Sequence, residues 1–219
     1  MITFHDIRNN DELKTYITQA DEVLNALGFT EHSFAHITKV SETAKYILDE
    51  LNFPERDIEL VQIAAYMHDI GNLVNRIEHS QSSAVMAFFL LNKFGMDVKE
   101  ISLISAAIGN HDEGTGVPVN HLAAALILAD KCDVRRSRVR NVDFSAFDIH
   151  DRVNYSVTKA VVKINEKKTE IRLALTVDTE FGSIMDYFEI FLDRMIMCRK
   201  AADKLGMEFK LSINGQEII

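Results

Sequence analysis

Apolar positions between residues 10 and 140 recur at intervals of three and four, the period of an α-helix with one buried face. Residues 10–27 fit one helix, with Gly28 as its stop. Over 35–52 the rhythm is clearest, carried by Ile37, Val40, Ala44, Ile47, Leu48 and Leu51. Pro54 stands near the start of the next helix, which carries Val61, Ala64 and Ala65. After "DIGN" a short polar link leads to a helix from about His79 to Phe94 and another from about Val98 to Gly109. The loop "EGTGVP" then precedes a long helix from about Asn120 to Arg138.

The period changes from helical to two near residue 155. Ala160, Val162 and Ile164 recur at every second position, "NEKK" reads as a turn, and Ile171, Leu173, Leu175 and Val177 alternate again. A helix over roughly 181–205 ends at Gly206, and Met207, Phe209, Leu211 and Ile213 predict a last strand. The fold expected is mainly α, a helical bundle with a small C-terminal α+β appendage of hairpin, helix and strand. The division predicted is 1–150 for the helical domain and 151–219 for the appendage. With no Pro/Gly-rich linker between them, the two should pack together.

The 47% apolar and 26% charged content of the 219 residues is that of an ordinary globular protein. No run is long and apolar enough for a membrane span, and the N-terminus lacks the pattern of a signal peptide. A cytoplasmic protein is the expectation, with Cys132 and Cys198 as reduced core residues. The net charge of −9 argues against a nucleic-acid polymer as partner. "RRSRVR", Arg135 to Arg140, is a basic exception. It suits either a local anion site or the closing turn of a helix, where cations are favoured.

The helical faces carry unexpected chemistry. His68 continues the stripe of Val61, Ala64 and Ala65, and Asp69 follows it. Asp130 shares a face with Ala123, Leu126 and Ile127, while His111 extends that of Ile101, Ile104 and Ile108. His36 lies one turn before Val40, and His79 shares a face with Ser83, Met86 and Leu90. A single histidine on an apolar face is ordinarily a hydrogen-bonded core residue. Four histidines and two aspartates facing one interior are costly without a cation. A divalent metal removes that cost, since neutral imidazole and carboxylate are its usual ligands.

In order and in helical context, His36, His68-Asp69 and Asp130 resemble the H…HD…D signature of the HD-domain metal-dependent phosphohydrolases. "EHSFAHITKV", "AAYMHDIGN" and "ILADKCD" carry the resemblance, which covers roughly residues 30–140. It implies an all-helical domain with ligands converging from separate helices. A distant similarity to the two-metal HD-GYP proteins implies one metal on His36, His68, Asp69 and Asp130. A second would then lie on His79 and His111, with Asp69 bridging. The histidine-rich set suits iron or manganese first, then cobalt, nickel or zinc.

Two positions depart from the family's text. Asn72 stands where many relatives have the lysine of HDIGK, implicated in handling phosphate. "NHDEGTGVP" echoes HHE…GYP only in part, so hydrolysis of cyclic di-GMP is not expected. The activity implied is hydrolysis of a nucleotide or small phosphate ester by water activated on the metal, with Asp69 and Asp112 as catalytic residues. Asn72, Lys39, Lys131, Arg135 and Arg136 are the candidates for substrate binding, and Asp133 for steadying a ligand histidine. The same ligands also suit a di-iron oxygenase or a non-catalytic metal sensor. A homodimer paired through an edge strand such as 207–213 is a further expectation.

Overall fold

Side-chain caps mark where the helices begin. The chain, seen here as a computed structural model, is described over all 219 residues. Thr3 and Asp6 form a reciprocal capping box at α1 (Phe4–Asn9), and Asn10 caps α2 (Asp11–Ala26). Ser33 caps α3 (Phe34–Glu50), and Pro54 precedes α4 (Glu55–Met67). After α5 (His79–Lys93), Asp97 caps α6 (Val98–Gly109) and Asn120 caps α7 (His121–Lys131).

At the middle of the helical part is α7. Every residue from Leu122 to Lys131 is buried, so it is enclosed on all sides, touching α3, α4, α6 and α9 (Ile184–Lys204). Asp130 therefore projects from the most enclosed helix of the protein. α3 and α4 pack on each other beside it, and α5 packs on the outer side of α6.

The C-terminal part begins with α8 (Ile149–Ser156), which leads into β1 (Val157–Ile164). β1 pairs antiparallel with β2 (Glu170–Val177). α9 then crosses over, so that β3 (Glu208–Ile213) lies parallel to β2. A short β4 (Gln216–Glu217) closes the sheet in the order β1-β2-β3-β4. One apolar core runs from Leu13 and Ile37 through Leu126 to Phe191 and Leu211. α9 rests on α7, with Cys132 Sγ 3.9 Å from Cys198 Sγ.

Several expected boundaries move. The long helix over 120–138 ends at Lys131, and Arg136–Arg138 form a separate 3-10 turn. The arginines therefore do not close α7. The link after His68-Asp69 is a 3-10 turn, Ile70–Leu73, whose Ile70, Gly71 and Asn72 are buried. β3 is not an edge strand: β2 flanks it on one side, and on the other β4 and the Ile218–Ile219 tail cover Leu211 to Ile213. β1 is the open edge.

Candidate metal centre

Local hydrogen bonding sets all four candidate histidines the same way. His68 follows the last residue of α4, and its Nδ1 donates to the Ala65 carbonyl at 2.8 Å. His79 Nδ1 donates to the Arg76 carbonyl at 3.1 Å, and His111 Nδ1 to the Ile108 carbonyl at 2.6 Å. His36, in the first turn of α3, bonds through Nδ1 to Asp133 Oδ2 at 2.7 Å. A carbonyl or carboxylate only accepts, so each Nδ1 carries a proton and each Nε2 is left as the coordinating atom.

These Nε2 atoms converge on two carboxylates. His36 Nε2 lies 3.6 Å from Asp69 Oδ2 and 3.3 Å from Asp130 Oδ1, and His68 Nε2 lies 3.1 and 3.6 Å from the same two oxygens. Both nitrogens are buried without a hydrogen-bond partner. Asp69 turns its other oxygen, Oδ1, to His79 Nε2 at 3.4 Å, so its two oxygens face different imidazoles. His79 Nε2 and His111 Nε2 stand 3.2 Å apart. Two imidazole lone pairs at that separation repel unless a cation or proton lies between them.

Two sets have donor atoms close enough for a shared ion: His36, His68 and Asp130, and His68, Asp69 and His111. Donors about 2.1 Å from a common centre lie about 3 Å apart when adjacent, which suits the separations seen. The donor set fits a divalent cation.

The field of the site favours positive charge. Burial opposes charge on His68, yet Asp69 and Asp130 outweigh it and push its pKa up to about 10. Against the same desolvation, His68 holds Asp69 well below the usual carboxylate range, and Lys131 does so for Asp130. Burial keeps His79 and His111 below the usual imidazole range, so they favour the neutral, ligating form. Burial raises the pKa of Asp112, although Lys131 works against it.

The residues expected to handle substrate are divided by the fold. Asp112 is part-exposed, 4.0 Å from His79 Nε2 and 3.7 Å from Lys131 Nζ. Lys131 is buried at the centre, its Nζ 2.8 Å from Asp130 Oδ2 and 3.1 Å from Glu113 Oε2. Its charge is thus engaged by carboxylates. Asn72 is fully buried and donates to both the carbonyl and Oδ1 of Asp69, at 2.9 and 3.0 Å. It therefore orients a candidate ligand instead of meeting substrate. Lys39, Arg135 and Arg136 lie away from the cluster, in a cleft beyond His36 and Asp133.

Sequence reasoning missed Glu113, Arg194 and Glu31. Glu113 joins Lys131 to Arg194 of α9, whose Nε is 2.6 Å from Glu113 Oε1. Glu31 receives Arg135, and its carbonyl accepts from Arg138 Nε. The "DE" following His111 was the visible hint of Glu113; no periodic pattern marks the others.

Residues 33–135 match the HD domain family, which spans every residue of the cluster. An uncharacterized protein of Methanocaldococcus jannaschii is 23% identical to this chain, covering 82% of it and 77% of the relative. No helix is long and apolar enough to cross a membrane. Residues 33–135 thus match an HD domain, and HD domains form a superfamily of metal-dependent phosphohydrolases.

Proposed function

We propose that this protein hydrolyses a phosphate ester of a nucleotide or other small molecule, using two divalent ions. Iron or manganese is the first choice, followed by cobalt, nickel or zinc. His36, His68, Asp69 and Asp130 would hold one ion, and His79, His111 and the second oxygen of Asp69 the other. The observation that carries the reading is the shared orientation of the four imidazoles, each anchored at Nδ1 with Nε2 turned inward. Ions held there supply Lewis acidity toward a phosphoryl oxygen and acidify water.

The chain's own residues supply the rest. Asp133 fixes the His36 ring and Asn72 fixes Asp69, so the donors are ordered before any ligand arrives. Asp112, part-exposed beside His79 with a raised pKa, is suited to hold a proton and pass it to a leaving alkoxide oxygen. Lys131 offsets the negative charge of Asp130 and Asp112 as a phosphate approaches. With Asn72 taken up by Asp69, the absent HDIGK lysine leaves no gap in the donor set.

A panel of phosphomonoesters and phosphodiesters, assayed with each of the five metals, tests this. Turnover should fall at least about a thousandfold in Asp69→Ala, and about a hundredfold or more in Asp112→Asn. Turnover indifferent to Asp69→Ala, or only oxygen-dependent turnover with iron, would overturn it.

A further inference from the structure

A cleft of about 660 Å³ does not open on the histidine cluster. It lies on the other side of His36, and its wall includes Asp133, the residue that holds His36 Nδ1. A stripe of α3 forms one side, with Lys39, Thr43 and Tyr46 at the helical spacing of three and four. The open strand β1 contributes Thr158 to Val162.

Four cations line this cleft: Lys39, Arg135, Arg136 and Lys159. The lining itself holds two carboxylates, Glu42 and Asp133, and Glu31 and Asp178 pair with the arginines from outside it, in a chain whose net charge is −9. Asp133 is already committed to His36 and to Arg135 Nε, at 2.7 and 2.9 Å. Lys39 and Lys159 are exposed and have no ion-pair or hydrogen-bond partner.

The arginines are held in place but not used up. Arg135 spends three N–H groups on Asp133, Ser137 and Glu31; Arg136 spends two, on the Tyr155 carbonyl and Asp178. A guanidinium has five N–H groups, so both keep free donors.

The strand edge adds backbone donors. Ile164 gives its N–H to the Tyr46 hydroxyl at 3.1 Å, whereas Asn165 N–H donates to the Glu170 carbonyl across the hairpin. Backbone groups alternate in direction along an antiparallel pair. Val162 and Ala160 therefore point their amides the same way as Ile164, away from β2 and toward the cleft.

From these features we infer that the cleft is a second binding site, for a small phosphorylated molecule, separate from the metal centre. A phosphoryl group brings about −2 charge and three strong acceptor oxygens, matching unspent guanidinium, ammonium and amide donors. The volume suits a small molecule, and Ala129, Ala160 and Val162 offer apolar surface to its organic part. The inference does not rest on the proposed hydrolysis.

Titration of the full-length, metal-loaded, ¹⁵N-labelled protein with inorganic phosphate, at constant ionic strength, tests it. Amides of Lys39, Thr43, Ser137, Ala160 and Val162 should shift saturably, with Kd on the order of 1 mM. Lys39→Ala combined with Lys159→Ala should weaken binding about tenfold or more. Asp69→Ala should leave this binding as it is. Shifts confined to His79, His111 and Asp112, shifts that never saturate, or unchanged affinity in the double lysine variant would each overturn the inference.

Discussion

A proton and a metal compete for His68 Nε2. Burial disfavours the imidazolium, but Asp69 and Asp130 hold the pKa of His68 near 10 in the metal-free protein. A metal needs the neutral ring, so its arrival must expel that proton. Uptake at pH 7.5 should release about one proton per chain from this residue, and affinity should rise about tenfold per pH unit below pH 10. Calorimetry in two buffers of different ionisation enthalpy reads the proton count. Metal uptake with no linked proton would contradict the placement of His68. For the metal-free chain the sign is the reverse. The folded pKa lies above the ordinary value of 6.5, so this stabilisation is full below about 6.5 and lost as pH rises through about 10.

Between elements, the close approach of α5 to the turn after Asp69 decides where His79 lies. A Cβ on Gly71 would sit 2.3 Å from Ser83 N and 2.4 Å from the His79 carbonyl oxygen, both backbone atoms. Gly71 N–H also donates to Ser83 Oγ at 2.8 Å. Only glycine lets α5 bring His79 to Asp69. Gly71→Ala should cost about 1–3 kcal/mol in urea unfolding and weaken metal binding through His79 more than through His36. Wild-type stability and metal affinity in that variant would show that the turn does not set the centre. The long helices were legible because each buries a periodic face, as in Ile37 to Leu48 on α3. α1 and α8, with 6 and 8 residues, offer too few turns for periodicity to register. Their signals were the caps, Thr3 with Asp6 and Asp148 before α8. α7 stops at Lys131; beyond it Asp133 turns to His36, and Arg135, Arg136 and Arg140 brace the chain against Glu31, Asp178 and Asp21.

Across the whole molecule, the helical part and the C-terminal sheet share one apolar core, and α9 reaches the centre through Arg194, Glu113 and Lys131. The convergence of His36, His68, Asp69, His79, His111 and Asp130 could be read from helical faces, because charged groups on apolar stripes need a common partner. The separate location of Lys39, Arg135 and Arg136 could not, since cations on solvent-facing positions carry no periodic signature. The pairing of Arg135 with Glu31 and of Arg136 with Asp178 is long-range and visible only in three dimensions. The central claim is that the six inward side chains hold divalent metal. Elemental analysis of the purified protein after incubation with manganese or ferrous iron, beside Asp69→Ala and His68→Ala, tests it most directly. Close to two ions per chain in the wild type, falling well below one in both variants, is the predicted result. A wild-type protein that retains no metal, or variants that retain as much as the wild type, would contradict it.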